Sequence, residues 1–177
     1  AQLKPFLSDK TILTDVGSVK GSIHETISGL GLDNQFIGGH PMAGSEKTGF
    51  SNANPVLLEN AYYILTPTET VSKEAIDAYS SLVKKMGAIP IQLTCQQHDY
   101  VTAAISHVPH LVAAALANLV HDHDSADETM KLIAAGGFKD ITRIASSSPD
   151  MWESICMSNT ENIANLLDDY IISLQTI

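Results

Sequence analysis

The chain has 177 residues, of which 44% are hydrophobic and 17% charged. With a mean hydropathy of +0.06, it falls among ordinary globular enzymes and outside disordered or fibrous classes. The net charge is −10, and the 10 basic residues are scattered, which excludes a nucleic-acid partner because phosphate binding needs clustered Lys and Arg. No apolar run approaches a membrane span and Ala1–Pro5 has no signal-peptide pattern, so no membrane role is expected.

In chain order, residues 10–15 read as a short buried strand, followed by Val16-Gly17-Ser18 and a helix over 19–28. Ser18 stands where a hydroxyl caps such a helix, and also at a strand carboxyl end, where open α/β sheets bind ligands. Gly29-Leu30-Gly31-Leu32-Asp33-Asn34 begins like a dinucleotide fingerprint. It lacks the third glycine and follows a helix, so it reads as a helix C-cap and loop. Residues 35–38 predict a second strand. It leads into Gly38-Gly39-His40-Pro41-Met42-Ala43-Gly44-Ser45-Glu46-Lys47-Thr48-Gly49-Phe50, where the glycines permit positive φ and close approach by a ligand and Pro41 fixes the exit direction. His40 is therefore either a strand-end residue bonded to a carbonyl or a presented catalytic side chain. Residues 61–66 form a third strand ended by Pro67. Ser72 then caps a helix whose Ala75, Ile76, Tyr79, Leu82, Val83 and Met86 share one face, and Gly87 stops it before a strand at 89–93.

Beyond residue 94 the pattern is helical only. A very apolar helix spans 99–120 and contains Pro109, which should kink it beside His107 and His110. Shorter helices follow near 125–135, 138–146, 150–157 and 159–174. This predicts an α/β half over 1–94 and an all-α half over 95–177, the apolar helices suiting a bundle that dimerises. Cys95 and Cys156 lack CxxC spacing and read as two buried free thiols in a reducing cytoplasm. The helical half also carries His98-Asp99, then His107 and His110 one turn apart, then His121 and His123. No metal is expected, because neither HExxH nor a cysteine cluster accompanies them, and histidines interrupting an apolar helix suit the lining of a substrate cavity. Of the 10 basic residues only Arg143 is an arginine. Its planar fork suits a carboxylate clamp, with a surface salt bridge as the equal alternative.

Taken together, DVGSVKG, GGHPMAGSEKTGF, ENAYYILTP, HDYVTAAISHVPH and AGGFKDITRIASSSPDMW closely resemble the prephenate dehydrogenase family in order and spacing. The resemblance implies a partial Rossmann-like dinucleotide-binding domain, its first βαβ portion absent, followed by a helical dimerisation domain. It also implies NAD-dependent oxidative decarboxylation of prephenate to 4-hydroxyphenylpyruvate in tyrosine biosynthesis, by a cytoplasmic homodimer. Carried over by motif position, His40 would accept the proton of the substrate's C4 hydroxyl and Ser18 would orient both, while Gly17 and Ser18 would lie on the cofactor side. Arg143 would hold a carboxylate, with His110 and His107 shaping the pocket and Ser45 and Glu46 at its entrance. Trp152 would pack rather than react. Lys139 stands where many members carry arginine. The glycine-rich opening is not in the sequence, which implies an amino-terminally truncated piece with weak or absent NAD binding of its own. NADP in place of NAD, arogenate in place of prephenate, and a non-catalytic dimerisation or substrate-binding module all remain open at this level.

Overall fold

Ile37–Pro41 (β1), Tyr62–Pro67 (β2) and Ile89–Gln92 (β3) form a sheet of order β1-β2-β3. β1 and β2 are antiparallel, with His40 opposite Ile64, and β2 and β3 are parallel. The computed structural model describes residues 2, 4–44 and 49–177. It divides into two units, Ala1–Tyr100 and Val101–Ile177. The expected first strand contracts to one parallel bridge from Leu13 to Phe36, while the ends of the other three strands shift by at most three residues. The second strand runs on through His40 and Pro41, so His40 sits on a strand and not in the loop beyond it.

Two helices accompany this sheet. Gly21–Gly29 (α1) starts two residues later than expected, and Gly31 at φ +64° turns the chain after it, as the C-cap reading required. Lys73–Lys85 (α2) is capped by Ser72, whose hydroxyl accepts from the Ala75 N–H at 3.2 Å. Lys84 and Lys85 complement the dipole at its other end, and Gly87 at φ +85° closes it. Ile37, Tyr63, Leu65, Val71, Tyr79, Val83 and Ala88 form the buried core between α2 and the sheet. Replacing Ser72 with alanine orphans one helix N–H and should lower the unfolding free energy in urea by about 1 kcal/mol, with an unchanged m-value.

The second unit is helical. Cys95–Thr102 (α3) crosses the division and continues through a π-helical turn, Ala103–His107, into Val108–His123 (α4). The irregularity covers Ile105, four residues before Pro109, the position whose carbonyl the proline ring would meet and its missing N–H would leave unbonded in a regular helix. By length and composition Cys95–His123 could cross a membrane, a correction to the sequence expectation. Its polar His98, Thr102, His107 and His110 are buried within the protein, as polar side chains with hydrogen-bond partners can be. Thr129–Ile133 (α5), Gly136–Thr142 (α6), Pro149–Ser158 (α7) and Thr160–Gln175 (α8) complete the unit. Ala103, Val108 and Ile163 center its core. Cys95 and Cys156 are unpaired but half-buried, not fully buried as expected, and burial raises both thiols, Cys95 to about 11.

Candidate functional site

The glycines before His40 have a different reason from the expected one. Neither Gly38 nor Gly39 has positive φ. A Cβ on Gly39 would lie 2.6 Å from the Asp15 carbonyl oxygen and 2.9 Å from the Tyr63 hydroxyl, and one on Gly38 would lie 2.2 Å from Thr66 Oγ1. β1 thus packs against the protein's own atoms, and that contact fixes where His40 leaves the strand.

Lys20 strengthens the fixation. It is fully buried, its ammonium paired with Asp15 and donating to the Gly39 carbonyl at 2.7 Å. Burial lowers its pKa, and Asp15 opposes the shift. The Asp15 carboxylate also accepts from the Gly17 N–H at 2.8 Å and the Gly39 N–H at 3.1 Å. Both backbone groups of the residue preceding His40 therefore end on one buried ion pair.

Behind His40 lies a second polar chain. His40 Nδ1 is 2.8 Å from His98 Nε2, and His98 Nδ1 is 2.7 Å from Asp99 Oδ1. Asp99 in turn accepts from the Lys20 and Gly21 N–H groups, each at 2.8 Å. These are the first amides of α1, so the helix amino terminus is satisfied by Asp99 and not by Ser18, whose expected cap bond does not form. Burial pushes the Asp99 carboxyl up, but the bonds from His98 and the two amides outweigh it and hold Asp99 below the ordinary carboxylate value. His98 is fully buried, whereas His40 is half-buried at the strand end.

In the helical unit His107 is buried and bonds the Asn159 amide at 3.3 Å. His110 stacks face to face on Trp152, with centroids 3.6 Å apart and an angle of 4° between the rings. Burial lowers the His110 pKa and favours the uncharged ring, partly offset by the Ile144 backbone. His110 Nδ1 and Trp152 Nε1 are buried without hydrogen-bond partners among the described residues, a costly arrangement that a ligand's polar groups would relieve. Arg143 is exposed at the start of a 3-10 turn, Arg143–Ser146. The ion pairs among the described residues join Lys20 to Asp15, His98 to Asp99 and Lys131 to Glu128, which leaves the salt-bridge reading of Arg143 without support.

The expected entrance residues Ser45 and Glu46 lie outside the described residues. Gly17 and Ser18 occupy the turn between Leu13 and α1, where a Cβ on Gly17 would meet Asp15 Oδ2 at 3.0 Å and Ile23 at 3.1 Å. Among the described residues no cluster of three or more His, Cys, Asp or Glu could hold a metal ion. An open hollow of about 1000 Å³ lies between His24, Asp33, Thr68, Glu69, Cys95 and Gln97, and His40 is not among its walls. The residues that sequence reading missed are Lys20, His98 and Asp99. An adjacent His-Asp pair opening an apolar helix was their one visible signal.

Residues 1–92 match the model "Prephenate dehydrogenase, nucleotide-binding domain" and residues 94–177 match "Prephenate dehydrogenase, dimerization domain". A prephenate dehydrogenase of Bacillus subtilis (strain 168) is 42% identical over 172 residues, covering 97% of this chain and 46% of that protein. The chain thus spans about half the length of that curated relative. Among solved structures, prephenate dehydrogenase from A. aeolicus in complex with hydroxyphenyl propionate and NAD+ superposes with a TM-score of 0.90 at 35% identity, over 99% of this chain and 61% of that one. Synechocystis arogenate dehydrogenase superposes with a TM-score of 0.87 at 34% identity, over 99% and 63%. The architecture is that of a partial Rossmann-like domain followed by a helical one.

Proposed function

The chain belongs to the prephenate dehydrogenase family, and from that premise we propose that its protein oxidises prephenate with NAD and releases carbon dioxide to give 4-hydroxyphenylpyruvate. The observation that carries this reading is His40, half-buried at a strand end with Nδ1 committed to His98. A histidine held from behind is built to move a proton at its other nitrogen.

His40 accepts the proton of the C4 hydroxyl as that carbon is oxidised, with Ser18 orienting the hydroxyl. Loss of carbon dioxide leaves an aromatic ring, so the reaction runs downhill and what the protein must supply is placement. Arg143 holds a substrate carboxylate, supported by its being the sole guanidinium and outside the described ion pairs. His110 and His107 shape the pocket, and the unpartnered nitrogens of His110 and Trp152 suit a polar ligand. Ser45 and Glu46 serve its entrance.

NAD is proposed on the nucleotide-binding family model and on the NAD+ bound by the A. aeolicus protein. The described residues supply the Gly17–Ser18 turn but no pyrophosphate cradle: Gly29 and Gly31 end a helix, and Gly17 is filled by Asp15 and Ile23. A homodimer is proposed through the helical unit, whose Leu119, Leu132, Ile133, Met157, Ile172 and Ile177 are exposed and suit an apolar interface. A cytoplasmic location suits the unpaired thiols.

The test is prephenate-dependent NADH formation, assayed in parallel for this chain and for the complete gene product, with arogenate and NADP as alternative arms. We expect turnover with prephenate and NAD in the complete protein and little in the 177 residues alone. Silence of the complete protein with either substrate would remove the dehydrogenase reading.

A further inference from the structure

The polar chain behind His40 assigns protons. Asp99 holds two backbone amides and presents its Oδ1 to His98, and a carboxylate can only accept. His98 Nδ1 therefore carries the hydrogen of that bond. A neutral imidazole has one N–H, so His98 Nε2 is an acceptor, and His40 Nδ1 at 2.8 Å must be the donor. In the neutral protein this leaves the lone pair of His40 on Nε2. We propose that His98 and Asp99 are a positioning pair that selects the Nδ1–H tautomer of His40 and steadies the imidazolium formed when Nε2 takes up the substrate proton.

The hydroxyl proton needs no further acceptor, while the electron pair leaving C4 requires the NAD of the proposed reaction. Nε2 gains the hydroxyl proton, His40 becomes a cation, and its Nδ1–H stays directed at an imidazole that is itself backed by a carboxylate. The arrangement uses one more link than the acid-histidine pair of hydrolytic triads, where the acid likewise fixes tautomer and orientation. Burial suits the role, for His98 is 0% exposed and Asp99 7%, so water does not compete for either bond. Location suits it too, because Asp99 is pinned to the first turn of α1 and His98 rides on α3, both rigid elements.

This inference rests on His40 being the proton acceptor, so its test has a readout independent of turnover. Histidine ring nitrogens of the 15N-labelled chain can be read by long-range proton–nitrogen correlation at mildly alkaline pH, where unperturbed imidazoles are neutral. The His40 signals would be assigned by their loss in His40→Asn. We expect Nδ1 of His40 in the protonated range and Nε2 in the unprotonated range, with Nδ1 of His98 protonated.

Two substitutions separate positioning from packing. His98→Gln brings an amide oxygen near the place of Nε2 and should keep the His40 tautomer, whereas His98→Asn reaches only the Asp99 side and should lose it. In the complete gene product His98→Asn should lower kcat about 10- to 100-fold, by analogy with the loss of hydrogen-bond partners behind metal-ligating histidines. His98→Gln should recover much of that loss, with KM for prephenate little changed in both. A His40 found as the Nε2–H tautomer, or equal kcat in the Asn and Gln variants at matched thermal stability, would overturn the proposal. Neither result would by itself touch the dehydrogenase reading, which fails only if prephenate is not oxidised.

Discussion

Replacing His40 with asparagine in the complete gene product should lower kcat for prephenate by about 10²- to 10⁴-fold, the usual contribution of a positioned proton acceptor, while prephenate affinity stays within a few-fold. Asparagine is of similar reach and can still donate to His98, so the buried chain of His98 and Asp99 stays occupied. What it lacks is a basic nitrogen. Affinity is expected to survive because the dianionic substrate is, in the proposed function, held by Arg143, and removing an interaction made mainly in the transition state lowers kcat and kcat/KM together. Arg143→Lys should show the converse, a raised KM, since an ammonium cannot reproduce two parallel bonds to a carboxylate. Steady-state kinetics with a separate equilibrium measurement of prephenate binding decides the matter. Unchanged turnover with lost affinity in His40→Asn would reverse the two roles.

What can be read from the sequence follows the range of the interactions concerned. α2 is legible at both ends because its signals are local: Ser72 three residues before the amide it caps, and Gly87 where positive φ is needed. Its apolar face is less so, for Tyr79 and Val83 are buried while Leu82 remains 51% exposed, and periodicity gives a face without saying how much of it is covered. Pro109 is the strongest local breaker in its helix, and the backbone widens in the turn before it, at Ala103–His107, a π turn that no local pattern spells out. At the site, His40 is visible from its glycines, but for a reason the structure revises: they admit Asp15, Tyr63 and Thr66 rather than a ligand. His98 lies 58 residues from His40, and Asp99 lies 79 from Lys20. No pattern within a window links such pairs, so Asp99, the fifth residue of α3, passes for a solvated helix charge, as does a Lys before a helix.

The largest stability effect is expected from Asp15→Asn. The wild-type carboxylate accepts on one oxygen from Gly17 and Lys20 and on the other from Gly39. Either orientation of an asparagine amide therefore sets a donor against a donor. Lys20, with 0% side-chain exposure, would lose its charged partner and keep only neutral oxygens, the Gly39 carbonyl and, in one orientation, the new amide oxygen. Breaking a buried pair in this way costs about 3–5 kcal/mol, far more than an exposed pair is worth. The pH dependence gives the mechanism away. Burial already lowers the Lys20 pKa against the pull of Asp15, and removing that pull lowers it further. A lysine depressed in the folded state binds fewer protons there than in the unfolded chain, so stability rises with pH between its folded value and the unfolded value of about 10.4. That window opens at lower pH in the variant, and the gap between variant and wild type should narrow as pH is raised from neutral. Urea unfolding at a series of pH values measures it, and a gap that is small or independent of pH would show that Lys20 is not a buried charge in need of Asp15. Because the same pair holds both backbone groups of Gly39, a variant that survives folding should also blur the His40 tautomer, which ties the stability of this turn to the proton acceptor at the end of β1.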